Sequence, residues 1–142
     1  VAMEVMRAHT IEPFRDPDLA IQAAFLHDVI EDTSIKPEQL IEQFGQEVTD
    51  GVLALSKDPS LPKIERMADS IQRIKEQSDE IWSVKLADRI TNMHRPPASW
   101  NQVKRSKYRD EAHSLCNQLG CAHTYLRSRL EKKIQEYSQF LE

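Results

Sequence analysis

The sequence predicts an all-α fold, a single helical bundle spanning residues 1–142 that ends in a long C-terminal helical segment. Three observations carry this reading. Only three glycines occur, and the seven prolines fall in or beside apparent connections. Apolar residues recur at helical spacing along most of the chain, and no stretch alternates with period two for long enough to suggest a sheet. At 142 residues the chain has the size of one ordinary domain, able to bury about two thirds of its unfolded surface, so one core is expected.

Each element follows from its punctuation. Val1 to Arg7 reads as the middle of an amphipathic helix with no capping residue before it, and the chain is expected to lack its extreme N-terminal segment. Asp16-Pro17-Asp18 offers a capping side chain, a proline at the first helical position and an acid in the first turn, starting a helix that should run to about Ile30. Pro37 opens a short helix through Phe44, which Gly45 closes in the left-handed position, and another follows from about Gln46 to Ser56. Lys57 to Pro62 is a polar, proline-bearing loop, after which Ile64, Met67, Ala68, Ile71 and Ile74 recur at helical spacing. Ser78 caps the next helix, which carries Asp88 and is stopped by Pro96-Pro97. Val103, Ala112, Leu115, Cys116, Leu119, Leu126, Leu130, Ile134, Tyr137 and Leu141 form the long final stripe, with a break near Gly120. Periodicity does not decide whether that stripe covers the domain's own core or meets a partner, so the oligomeric state stays open.

Composition narrows the function classes. A formal net charge of −4 with 30% charged residues of both signs argues against a general nucleic-acid binder. There is no secretory leader and no apolar run near 18 residues, so no membrane partner is expected and the cytoplasm is the expected compartment. The spacing of Cys116 and Cys121 matches no common zinc pattern, and both are read as reduced, ordinary helix residues.

The chemistry concentrates in Phe25-Leu-His27-Asp28-Val-Ile-Glu31-Asp32-Thr33, which places an imidazole and three carboxylates within six residues behind the apolar segment Leu19 to Leu26. On one continuous helix His27 would lie above Glu31 and Asp28 above Asp32. Lys85-Leu-Ala-Asp88-Arg89-Ile-Thr-Asn92 places Asp88 and Asn92 four apart after a second apolar run. Two such helices facing each other could hold a divalent metal through His27, Asp28 and Asp88. The nitrogen and oxygen donors suit manganese, iron or zinc, and the preponderance of oxygen tilts towards manganese or magnesium. A metal held there would lower the pKa of a water and stabilise charge on a phosphoryl oxygen, with Glu31 and Asp32 placed to orient or deprotonate that water. Plainer roles exist for each residue alone. His27 could be a hydrogen-bonded structural group, Glu31 and Asp32 exposed acids near a helix end, Asp88 and Arg89 an ion pair, and Asn92 a helix-end cap. Finding both motifs in one chain weighs against that set of coincidences.

The paired motifs, His-Asp-x-x-Glu-Asp followed by Leu-Ala-Asp-Arg-x-x-Asn, resemble the HD phosphohydrolase superfamily. Ala23 to Thr33, with Glu38-Gln39-Leu40 through Phe44-Gly45 and Val48, resembles the RelA/SpoT-type hydrolases within it. With no segment resembling a synthetase or regulatory domain, the chain is similar to the small stand-alone alarmone hydrolases of the metazoan SpoT homologue type over residues 1 to about 110. The resemblance implies one manganese per subunit, held by His27, Asp28, Asp88 and a further histidine expected upstream of Val1, since His9 lies too far along its helix to be that ligand. It implies water activation by Glu31 and Asp32 and a place for Asn92 near the substrate's sugar. Leu61-Pro62-Lys63-Ile64-Glu65-Arg66 resembles a segment whose lysine contacts phosphate, a role carried to Lys63. Trp100, Lys104 and Tyr108 resemble a segment in which a basic residue and a tyrosine line the pocket, although Lys104, Arg105, Lys107 and Arg109 also read as a solvated basic run.

The function expected from this resemblance is metal-dependent hydrolysis of the guanine nucleotide (p)ppGpp at its 3′-pyrophosphate, giving GDP or GTP and pyrophosphate. One alternative keeps the chemistry and changes the nucleotide, for example to the 2′-phosphate of NADPH. Another is a domain without activity that senses nucleotides, against which the intact Glu31-Asp32 pair weighs.

Overall fold

A computed structural model describes residues 1–141 and contains helices but, among the described residues, no strand. Helix α1 spans Ala2–Ile11 and α2 spans Pro17–Leu26. The start of α2 is the one the sequence calls for, with the Asp16 carboxylate accepting the Leu19 N–H at 3.1 Å and Pro17 in the first turn. Its end is not. The helix stops at Leu26, His27 and Asp28 form a turn, and a separate short helix, α3, covers Val29–Asp32. Asp28 adopts φ −102° and ψ 0°, the sparsely populated bridge between the helical and extended regions, and this bend re-aims the acids that follow. The expected continuous helix to Ile30 is thus corrected to two pieces hinged at the His-Asp pair.

Helix α4 (Pro37–Phe44) and α5 (Gln46–Leu55) are joined by Gly45 alone. Its φ of +89° is positive, as expected, but its ψ of 170° is extended rather than left-handed helical, a combination open essentially to glycine only. Lys57 to Pro62 is irregular, a 3-10 turn covers Lys63–Glu65, and α6 covers Arg66–Lys75. Arg73 of α6 donates to the Leu53 carbonyl at 2.5 Å and the Ser56 carbonyl at 2.8 Å. Ser70 donates to Ala54 at 2.7 Å. The free carbonyls at the end of α5 are thereby satisfied by side chains of α6.

Helix α7 (Asp79–Asn92) is the centre of the bundle, packing on α1, α2, α5 and α6 as well as on α8 (Gln102–Leu119) and α9 (Thr124–Tyr137). Ile81, Val84, Leu86, Ala87 and Ile90 are almost fully buried, and Glu80, Ser83, Lys85 and Arg89 are buried too. This explains why its sequence shows no clean two-faced pattern. Ser78 occupies the cap position, but its side chain makes no capping bond; the carboxylate of Glu80 instead accepts the Asp16 N–H at 2.9 Å, tying the start of α7 to that of α2. A 3-10 turn over Gly120–Ala122 breaks the C-terminal stripe where expected. Val103 does not belong to the stripe, being 77% exposed, and Ile64, at 82%, lies outside the α6 core face.

Candidate active site

The bend after α2 sets His27 against α7. Its Nδ1 lies 2.8 Å from the Ala24 carbonyl, and since a carbonyl can only accept, that nitrogen carries a proton. Nε2 then faces outward, 3.0 Å from Oδ2 of Asp28 and 3.5 Å from Oδ1 of Asp88. A bare nitrogen lone pair aimed at two anionic oxygens is unfavourable; either a second proton or a cation must sit there. The hydrogen bond with Asp88, opposed by burial, raises the His27 pKa above its ordinary value of 6.5. Burial pushes the Asp88 carboxyl upward, but His27 and the charge of Lys85 outweigh it and hold the group down at about 2.

The donor set fits a divalent metal in chemistry. Ligands about 2.1 Å from a shared metal at neighbouring coordination positions lie about 3.0–3.4 Å from each other, close to the separations around Nε2. Here the side chains bond one another directly, and among the described residues no group of three or more His, Cys, Asp and Glu side chains forms a ready metal-holding cluster. The three side chains meet at the imidazole, whose Nε2 lies within 3.5 Å of both carboxylates.

Asp88 is held from three sides. Asn92 donates to its Oδ1 at 2.9 Å and to its carbonyl at 3.0 Å, and the Lys85 ammonium lies 3.5 Å from Oδ2. Lys85, which the sequence reading quoted but gave no role, is buried, and desolvation lowers its pKa against the opposing pull of Asp88. Its signal was the i, i+3 spacing to Asp88 on a helix with no exposed face. Arg89 does not pair with Asp88. It lies 4.4 Å over the Tyr108 ring and donates to the Tyr108 carbonyl at 3.3 Å, fastening α8 to α7.

A series of clefts that share lining residues runs from Glu31 to Asn92, although none of them is lined by His27, Asp28 or Asp88. Glu31 lines one of about 240 Å³ with Lys57 and Arg66. Lys57 and Arg66 also line a second of about 550 Å³ with Lys63 and Lys107. Lys63 and Lys107 continue into a third of about 450 Å³ with Trp100, Lys104 and Tyr108, and Tyr108 and Trp100 share a fourth of about 260 Å³ with Asn92. The Lys104 ammonium sits 4.5 Å over the Trp100 ring, the Trp100 and Tyr108 rings meet edge-on at 5.3 Å, and the Tyr108 hydroxyl donates to the Asn92 carbonyl at 3.4 Å. Asp32 is exposed at the end of α3 and its carboxylate makes no hydrogen bond among the described residues. The structure thus brings His27, Asp28 and Asp88 together, puts Asn92 on Asp88 itself, and sets Lys63, Lys104 and Tyr108 along one cleft. Lys57, Arg66 and Lys107 line the clefts without having been singled out, because surface lysines and arginines carry no local pattern that distinguishes a cleft wall from solvent.

The comparisons with known proteins agree with this architecture. A family model described as HD domain matches residues 7–123. A Xenopus tropicalis relative named guanosine-3′,5′-bis(diphosphate) 3′-pyrophosphohydrolase MESH1 is 30% identical over 115 residues, 78% of this chain and 64% of the relative. The Danio rerio protein of the same name is 31% identical over 120 residues, 82% of this chain and 67% of that protein. The chain thus spans about two thirds of the length of these relatives. A solved structure, described as a metazoan orthologue of SpoT that hydrolyses ppGpp and plays a role in starvation responses, superposes with a TM-score of 0.80 at 27% identity, covering 99% of this chain and 80% of that one. A Listeria monocytogenes structure, with a TM-score of 0.70 at 19% identity over 99% of this chain and 95% of that one, shares the fold.

Proposed function

The chain belongs to the HD-domain family, and from that premise we propose that it is a metal-dependent hydrolase of (p)ppGpp, cleaving the 3′-pyrophosphate to give pyrophosphate with GDP from guanosine 3′,5′-bis(diphosphate) or GTP from its 5′-triphosphate form. The observation that carries the reading is the meeting of Nε2 of His27 with Asp28 and Asp88, its ring oriented by Ala24, beside clefts rich in cationic side chains. The names of the relatives support the choice of nucleotide. The cytoplasm, where unpaired thiols such as Cys116 and Cys121 stay reduced, is the compartment this reading implies.

In this reading His27, Asp28 and Asp88 hold a divalent cation, for which the oxygen-rich set favours manganese. Bound there, the cation supplies Lewis-acid stabilisation of phosphoryl charge and a more acidic water. The carboxylates do the proton work. The oxygen of water bonds to the 3′-phosphorus and the bond from phosphorus to the ribose oxygen breaks. One proton passes from the water to the Glu31–Asp32 pair and one must reach the ribose oxygen. Asn92 keeps Asp88 in place and, together with Tyr108, lines the side on which the nucleoside would lie. Lys63 and Lys104 balance phosphate charge that has left water. Incubation with ppGpp and manganese should release pyrophosphate and GDP in equal amounts; no pyrophosphate from the metal-supplemented protein overturns the proposal.

A further inference from the structure

Away from the proposed chemistry, a cavity of about 560 Å³ opens between the α1–α2 connection, the start of α7 and the start of α9, where Glu12, Phe14 and Arg15 meet Asp79, Glu80 and His123. That is the size of a small-molecule site, typically about 300–1,000 Å³. It lies at the opposite end of α2 and α7 from the candidate active site. Glu80 accepts the Asp16 N–H at 2.9 Å where the two helices begin, and His27 meets Asp88 about 12 Å further along α7, at about 1.5 Å per residue.

Most polar groups on its walls are taken up by the fold. The carboxylate oxygens of Glu12 accept the Tyr125 N–H at 3.0 Å and the Thr124 N–H at 3.3 Å, capping α9. His123 donates from Nε2 to the Glu12 carbonyl at 2.8 Å and accepts the Leu126 N–H on Nδ1 at 3.3 Å, so neither ring nitrogen is free for a metal. Glu80 differs. It is only 6% exposed, and Oε1 alone is engaged, by Asp16. Its Oε2 accepts no hydrogen bond among the described residues, yet it is not sealed off from solvent, because the side chain lines the cavity. A carboxylate oxygen so nearly enclosed and left without a donor is costly, and the cavity is where a donor can reach it. Asp79, beside it in the first turn of α7, is exposed and has no hydrogen-bond or ion-pair partner among the described residues.

The donor that suits this cavity is an organic cation. Three carboxylates face the single guanidinium of Arg15. The N-terminus of α7 by itself would attract an anion, but Asp79 and Glu80 in its first turn offset that field. Phe14 and Pro13 add an apolar wall, with the Phe14 ring backed by those of His9 and His123 at 6.0 and 4.8 Å, a surface suited to the body of an organic cation rather than to a bare ion. We propose that this cavity binds a small organic ammonium ion with an apolar body, the ammonium held by Oε2 of Glu80 and by Asp79 and the body lying on Phe14. The proposal is independent of the hydrolase reading, since none of these residues serves the nucleotide or its metal.

Titration of the chelator-treated protein with benzylamine, followed by backbone amide NMR shifts, tests this. Saturable shifts should appear at Phe14, Arg15, Asp79 and Glu80 and not at His27 or Asp88. Benzyl alcohol and benzoate, which keep the ring and lack the cation, should produce none. Glu80→Gln retains an oxygen for the Asp16 N–H and replaces the free one by an amide nitrogen, so benzylamine should bind about tenfold more weakly at an unchanged melting temperature. Asp79→Asn, at an exposed position, should weaken it about threefold and supplies the readout where Glu80→Gln does not fold. No saturable shifts at these residues, an equal response to benzyl alcohol or benzoate, or undiminished affinity in a folded Glu80→Gln, or in Asp79→Asn where that variant is unfolded, overturns the site.

Discussion

The side-chain amide of Asn92 donates to Oδ1 of Asp88 at 2.9 Å, the same oxygen that lies 3.5 Å from Nε2 of His27. One turn of α7 therefore orients the carboxylate that α7 offers to α2. A group that fixes a ligand without touching the metal typically contributes tenfold or more to metal affinity. Asn92→Ala is expected to weaken manganese binding by about tenfold, measured by calorimetry on the protein without substrate. An Asn92 that serves only the sugar would leave metal affinity unchanged and raise KM instead.

What could be read in the sequence was local. Asp16-Pro17, the proline stop after α7, the break at Gly120 and the two acid-rich motifs depend on neighbours within a turn or two, and the structure places each near its expected position. The end of α2 was illegible because nothing in Leu26-His27-Asp28 breaks a helix by propensity; the bend comes with the bond from His27 to Ala24 and the packing of the imidazole against α7. Nothing local marks Lys85 as buried, and Arg89 reads as an ion-pair partner for Asp88, yet both are buried because α7 is packed on by six other helices and each finds a partner there, Asp88 for Lys85 and Tyr108 for Arg89. Ser78 makes no capping bond, and the start of α7 is instead tied to that of α2 by Glu80, which accepts the Asp16 N–H, a contact between distant segments that no window contains.

Asp32 provides a clean separation of chemistry from stability. Its carboxylate is exposed and engages no hydrogen bond among the described residues, so Asp32→Asn should leave the melting transition within about 0.5 kcal/mol of the parent. Turnover of ppGpp should nevertheless be abolished, because an amide cannot take the water's proton. Steady-state release of pyrophosphate measures it, and retained activity would remove Asp32 from the mechanism.

The approach of α5 to α7 depends on Gly51. A Cβ there would lie 2.9 Å from Cγ1 of Ile81 and closer still to its Cδ1, and Ile81 is 1% exposed with nowhere to move. Gly51→Ala should cost about 1–3 kcal/mol, read as a lower urea midpoint with an unchanged slope. A parent-like midpoint would mean that the two helices part easily, and with them the frame that holds Asp88.

The pH response of the His27–Asp88 contact has a definite sign. With its pKa raised in the folded state, His27 contributes stability that is complete below 6.5 and lost as pH rises through the folded value. Asp88, lowered to about 2, contributes stability present above 3.8 and lost as pH falls through about 2. In chelator-treated protein, the gap in melting temperature between the parent and Asp88→Asn should therefore be widest between about pH 4 and 6.5 and narrow above it. Metal runs the other way. It must displace the proton from Nε2, so manganese affinity should climb as pH is raised from 6 to 8, with protons released on binding. Calorimetry in buffers of different ionisation enthalpy counts those protons. A stability gap that grows towards alkaline pH, or metal binding that releases none, would mean that His27 is neutral in the metal-free fold and that its proximity to the two carboxylates has another cause.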